Sequence, residues 1–548
     1  MDYTYPRNCN DMKREVIGRG TWIDKIASTI IGREKEIGRP LKLVSVESGL
    51  GASGFPHIGS LGDAVRAHGV SLAIKNLGYD SKLIAYSDDL DGLRKIPTGL
   101  PDWLVDYIGK PVSNIPDPIG QCHDSYGSHM SSLLLEALDR LGIHYEFLNA
   151  AKVYGNGMLT NQIDMILSNA LNLGNKIEEI VGQSKYIELL PYFPICESCG
   201  RLYVAHGEKY IREERKVSYI CNGTKLGNSD VKGCGYTGEV PISVGKGKLA
   251  WKVEFAARWS ALGIRFEAYG KDIMDSVRVN DWVSDVILNY AHPLHVKYEM
   301  FLDKGGKKIS KSIGNVLTPQ VWLRYGTPQS LLLLLFKRIT GTRQIGIDDI
   351  ATIMEEYDIC EDIYFGKTKE KNEDKLIKIK GLYEYVNHLK STDKPSQHVP
   401  YMLMVQQASF FSGADRIKKI FDRLLKYKVA THLTPDLEQK IQLACNWSDD
   451  HVSTQKFDII LTDKEKMIIR KIVDKLENEV GGESKSDAEK IQQLIYETSN
   501  QNEEEPRKIF KLMYKMLINA DSGPRLGGYI TDLGLHRTRS ILDSYVSL

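Results

Sequence analysis

The stretch from Lys42 to Ser87 constrains the fold more than any other part of the chain. Lys42 to Glu47 (KLVSVE) is a short run of β-forming residues, and glycines follow it at once. Leu61 to Asn76 has the apolar spacing of an amphipathic helix, and Lys82 to Ser87 (KLIAYS) reads as a buried strand. Strand, glycine turn, helix, strand is the opening of a parallel, doubly wound sheet, because parallel neighbours need a crossover and a helix supplies it.

The pattern continues with a helix at about 125–141, a strand near Tyr145 to Leu148 and helical spacing over 158–172. From about Leu190 to Val240 the texture changes: helical period vanishes, glycine rises and four cysteines appear, which reads as a small inserted metal module. Strand-like runs return at Lys248 to Val253, Ile264 to Ala268 and His295 to Leu302, with a helix expected at Trp282 to Tyr290. Beyond about Thr340 helical patterns dominate, and Gly481 to Lys490 and Ser499 to Glu505 read as polar connections. The expected divisions are residues 1–185 and 246–340 for two halves of a Rossmann-type domain, 186–245 for the cysteine-rich module and 341–548 for an all-α region. A chain of 548 residues is long enough for several such domains.

Net charge is +1, so a nucleic-acid partner has to be met by local basic patches. No apolar run approaches the roughly 18 residues that span a bilayer. Residues 1–14 are polar and lack the apolar core of a signal peptide. The expectation is a cytoplasmic chain without a membrane partner, whose eight cysteines are metal ligands or buried thiols.

Gly49-Leu-Gly51-Ala-Ser-Gly54-Phe-Pro56-His57-Ile-Gly59-Ser60 admits two readings. Gly49, Gly51 and Gly54 satisfy the dinucleotide fingerprint GxGxxG of a nicotinamide dehydrogenase, although Pro56 delays the helix that should begin inside it. The alternative is a nucleotide site in which His57 opens a helix whose amides favour an anion, and Gly59 admits a base close to the backbone. The plain structural meaning is a helix-capping turn with an incidental histidine. Downstream, Lys307-Lys308-Ile309-Ser310-Lys311-Ser312 forms a glycine-flanked lysine loop able to neutralise a leaving polyphosphate, though such loops are more often solvated turns.

His57 to Ser60 (HIGS) after the first strand and Lys308 to Ser312 (KISKS) after the last resemble the HIGH and KMSKS signatures of class I aminoacyl-tRNA synthetases, in that order and separated by an insert. Further strings resemble the class I lysyl-tRNA synthetases across most of the chain: Ser87 to Pro97, Pro116 to His129, Trp251 through Trp259 to Asp272, and Gly523 to Gly527. The resemblance implies activation of lysine by Mg2+-ATP and its transfer to tRNA(Lys) by a monomeric enzyme, with residues 341–548 reading the anticodon. It assigns catalysis to His57, Ser60, Lys308 and Lys311, and ATP binding to Gly54, Pro56, His57, Gly59, Ser310 and Lys311. Lysine would be bound by Gly49, Gly51, Asp88, Asp89, Trp251 and Tyr298; each aspartate taken singly reads more readily as a helix cap or a partner of Arg94, and Trp251 and Tyr298 read equally as plain core. Two departures stand out: the family's GKDH is Gly270-Lys-Asp-Ile273 here, and the middle of the lysine signature is Ile309. Another class I synthetase is the nearest alternative.

Cys196-x2-Cys199 with Cys221 and Cys234 offers a closed tetrahedral zinc site, although twelve residues separate the second pair. Asp117, Cys122, His123 and His129 form a second candidate set. The resemblance implies zinc there too, while one extra residue after Asp117 puts the aspartate's part in doubt; surface histidines beside a buried cysteine is the other meaning. In the helical third, Arg416 to Lys428 mixes basic and aromatic residues and reads either as an RNA-contacting face or as an ordinary amphipathic helix.

Overall fold

The computed structural model describes residues 16–226, 229–299, 301–306, 317–390, 392–451, 459–479, 485–518 and 520–546. The lysine loop with Lys308, Ile309, Ser310 and Lys311 lies outside the described residues. The chain divides into two compact units. One holds most of the first 320 residues with 332–347 and 369–391; the other holds 321–331, 348–368 and 392–548.

The first unit is built on a sheet of β1 (Val44–Leu50), β2 (Ser81–Ser87), β3 (Glu146–Asn149), β4 (Ile264–Gly270) and β5 (Leu294–Tyr298), in the order β5-β4-β1-β2-β3. Every neighbouring pair is parallel. The chain therefore moves outward from β1 to β3 and returns to the other side of β1, which is the Rossmann order and places a switch point between β1 and β4. The crossover helix Ile58–Asn76 is buried on nearly all sides, and its run of Ile, Leu, Ala and Val suits that position.

Between β3 and β4 lies the insert. A three-stranded antiparallel sheet (Ala205–Ile211, Lys216–Cys221, Thr237–Pro241) is entered and left through a short antiparallel pair, Tyr192–Pro194 with Gly247–Leu249. The insert shares one apolar core with the main sheet: Tyr192, Cys196, Val217 and Cys221 pack in the same cluster as Tyr86, Val253 and Trp259.

Three sequence expectations change. The strand expected over 248–253 is only Gly247–Leu249, and the helix Trp251–Leu262 begins directly after it, burying Val253, Glu254, Ala256 and Ala257 at helical spacing. The three-residue partner strand leaves nothing for a longer one to pair with. The helix expected at Trp282 begins at Met274 and ends in a π turn, Val283–Ile287. Lys485–Gln501, expected to be connective at both ends, is one helix that buries Ile491 and Ile495; packing outweighs its polar composition.

The second unit is helical throughout its described residues. Arg416–Lys426 buries Ile420 and Leu424, while Arg416 pairs with Asp449 and Arg423 with Asp532, as in an ordinary amphipathic helix. Gly527 is where helix Leu526–Leu533 meets helix Lys485–Gln501: a Cβ there would fall 1.8 Å from the Ala488 carbonyl oxygen. Gly527→Ala is expected to lower the stability of this unit by about 1–3 kcal/mol, the cost of overpacking a tight contact, measured by denaturant unfolding; an unchanged midpoint would show that the two helices separate freely.

Candidate active site and metal centres

At the carboxyl ends of β1 and β4, where the strand order reverses, a cavity of about 360 Å³ opens. Open parallel sheets bind ligands at this position because two crossovers leave in opposite directions and part the loops. His57, Gly59 and Ser60 line it, as do Gly49, Gly51, Asp88, Trp251 and Tyr298. Gly54, Pro56 and Asp89, also expected to bind substrate, are not among the lining residues. The Asp89 carboxylate instead accepts the Ala151 amide at 2.9 Å at the start of helix Ala150–Gly155, a capping part. Ile273, at the family's histidine position, lines the cavity.

His57 is the N-cap of helix Ile58–Asn76, and its Nδ1 accepts the Ser60 amide at 3.1 Å. A neutral ring held this way carries its proton on Nε2. A Cβ on Gly59 would stand 2.9 Å from the imidazole, so glycine there makes room for the ring itself. That is a reason within the chain, beside the expected approach of a base.

The floor is ionic and largely buried. Arg258 Nε donates to Glu47 Oε1 at 2.8 Å, and its Nη2 lies 3.4 Å from Glu267 Oε1, which faces the cavity. Trp259 Nε1 donates to the other Glu267 oxygen at 2.5 Å. Burial pushes the Glu47 carboxyl up against the pull of Arg258, and it raises that of Asp63, on the cavity wall, to about 7. Asp88 is tied to Lys248, not to Arg94, which lies 3.7 Å from Asp91. Sequence reasoning gave no role to Glu47, Lys248, Arg258 or Glu267. A glutamate inside the apolar strand KLVSVE, and an arginine between Ala257 and Trp259, were the available signals, since buried charges need partners.

Both expected metal sets are gathered, with all ligand atoms of each within 4.8 Å of one another. Cys196 Sγ is 3.6 Å from Cys234 Sγ, and Cys199 Sγ is 3.8 Å from Cys221 Sγ. A tetrahedron of thiolates about 2.3 Å from zinc has edges of about 3.8 Å. In the second set Cys122 Sγ lies 3.1 Å from His123 Nδ1, 3.5 Å from His129 Nδ1 and 3.6 Å from Asp117 Oδ2. The remaining edges are 3.2, 3.1 and 3.7 Å. With ligand bonds of about 2.0–2.3 Å these also fit one tetrahedral ion. Asp117 belongs to the set despite the altered spacing. Its carboxylate also accepts the amides of Ile119, Cys122 and His123, which fold the loop around it.

A parallel-sheet domain with a histidine-capped helix and a cavity at its switch point has the form of a nucleotide-binding domain. A family model described as tRNA synthetases class I (K) matches residues 20–388. The chain is 50% identical over 528 residues to a lysine–tRNA ligase of Cenarchaeum symbiosum (strain A), covering 96% of this chain and 99% of that one. It is 30% identical over 528 residues to a lysine–tRNA ligase of Rickettsia akari (strain Hartford), covering 94% of each. A glutamate-tRNA synthetase structure from Elizabethkingia anophelis aligns over 92% of this chain and 100% of its own, at 11% identity and a TM-score of 0.32, too low to argue from. The chain belongs to the class I lysyl-tRNA synthetase family, and the dehydrogenase reading of the glycines falls away.

If both sets hold zinc, elemental analysis of the purified protein is expected to give about two ions per chain. Cys221→Ser and His129→Ala should each remove one; a wild-type content of zero or one would empty at least one set.

Proposed function

We propose that the chain is a lysine–tRNA ligase whose two half-reactions share the switch-point cavity. What carries this is the 50% identity over nearly the whole chain to a relative named lysine–tRNA ligase. The cavity's chemistry supports it. In the first half-reaction a lysine carboxylate oxygen attacks the α-phosphorus of ATP, the bond to the β-phosphate oxygen breaks and pyrophosphate leaves. In the second, a ribose hydroxyl at the tRNA 3′ end attacks the lysyl carbonyl and AMP leaves.

His57 Nε2–H, at the positive end of helix Ile58–Asn76, stabilises charge that grows on phosphate oxygens. Lys308 and Lys311 neutralise the leaving pyrophosphate, with Mg2+ arriving on ATP. Trp251 and Tyr298 wall the aliphatic stem of lysine, and the acidic floor attracts its ammonium. Zinc at the two tetrahedral sets would cross-link the fold, since four protein ligands leave no open position. Its partners are ATP, lysine and tRNA(Lys), and we place it in the cytoplasm as a monomer; no described helix is long and apolar enough to cross a membrane.

Lysine-dependent exchange of pyrophosphate into ATP, with and without tRNA, tests this. Lysine should support exchange or charging and other amino acids should not; preference for another amino acid overturns the assignment. His57→Asn is expected to lower kcat about 10²–10³-fold, as for loss of one preorganised donor. The cavity wall also makes a pH prediction. Asp63, on that wall with its carboxyl raised by burial to about 7, holds a proton that an arriving ammonium displaces. Lysine affinity should therefore rise between about pH 6 and about pH 8, read by calorimetry; a flat profile would detach this carboxylate from binding.

A further inference from the structure

Lys248 has no part in the chemistry above, yet it is 1% exposed and carries three carboxylates. Its Nζ lies 2.6 and 2.7 Å from the two oxygens of Asp88, 2.7 Å from Asp91 Oδ1 and 3.2 Å from Glu254 Oε2. An ammonium has three donors, so these partners saturate it. Each partner then holds a second group. Asp88 Oδ2 accepts Trp251 Nε1 at 3.0 Å, Asp91 Oδ1 accepts the Tyr203 hydroxyl at 2.8 Å, and Glu254 Oε1 accepts the Tyr154 hydroxyl at 3.1 Å.

These partners come from different elements. Asp88 and Asp91 follow β2, Glu254 lies on helix Trp251–Leu262, and Lys248 itself sits on the strand leaving the cysteine module. That strand pairs with Tyr192–Pro194, two residues before Cys196. Trp251 and Asp88 both line the switch-point cavity. A single ammonium thus links the module's exit strand to one wall of the cavity.

We propose that Lys248 is a positioning residue for the amino-acid substrate: its ammonium fixes Asp88 and, through Asp88, the Trp251 indole against which the substrate's side chain packs. It also neutralises part of an acidic cluster that the sequence offers to a substrate amine. Asp88 is occupied from within the chain, and the substrate ammonium is left to the carboxylates of the floor, with Glu267 facing the cavity. This rests on the ligase reading for the nature of the substrate, but not for the contact itself.

The alternative is a buried ion pair that only stabilises the fold, and paired substitution separates the two. Charging kinetics and thermal melting are compared for wild type, Lys248→Met, Lys248→Arg and the double variant Lys248→Met with Asp88→Asn. Lys248→Met should raise the KM for lysine about tenfold or more while the KM for ATP stays within about twofold, because one wall of the amino-acid site is released. Lys248→Arg should recover part of the loss. The double variant removes one of the three carboxylates left without the ammonium, so its melting temperature should rise above that of Lys248→Met while its KM for lysine stays high. A double variant that regains both overturns the proposal, as does a Lys248→Met protein with the wild-type KM for lysine. If Lys248→Met does not fold, the KM for lysine of the double variant decides alone. A wild-type enzyme that charges a different amino acid defeats the ligase reading, and the same KM comparison with that amino acid still judges Lys248.

Discussion

Two buried cations hold the site together. Arg258 and Lys248 pair with the carboxylates of Glu47, Glu267, Asp88, Asp91 and Glu254, whose side chains are at most 12% exposed. Charges in such surroundings cost several kcal/mol each unless paired and hydrogen-bonded, so the network permits few arrangements. It spans β1, β4, the loop after β2, the insert's exit strand and helix Trp251–Leu262. Those elements frame the cavity, and the shape of the cavity follows from how these charges are satisfied.

The network explains why the insert cannot be regarded as an appendage. Its core is continuous with that of the main sheet, and its exit strand delivers Lys248 to the end of β2. The second ligand set acts on the other side. Its loop leads into Ser125, the N-cap of helix Tyr126–Arg140, and the Tyr126 hydroxyl holds the Ser53 carbonyl in the glycine turn at 3.0 Å. Both cysteine-bearing segments therefore bear on the loops around the cavity.

The glycine turn shows how one segment serves two ends. Gly59 makes room for the His57 ring, and the ring caps the helix through the Ser60 amide. The capping turn and the nucleotide site were competing meanings of the same residues in the sequence. In the structure they are compatible: the bond that caps the helix also fixes which ring nitrogen carries the proton.

The sequence by itself determined the parallel sheet, the insert, the four-cysteine set and the family, because each is written in local spacing: apolar period, glycine position, cysteine intervals; whether Asp117 joins Cys122, His123 and His129 was decided by the structure. It could not say which charges meet. Lys248 lies 160 residues from Asp88, and Arg258 lies 211 from Glu47; nothing local distinguishes them from solvated neighbours. Only the return of the chain to β1 through β4 and the short strand after the insert bring them together. Asp88 and Asp89, adjacent in the loop after β2, part company in the same way: one reaches Lys248 and the cavity, the other caps a helix start.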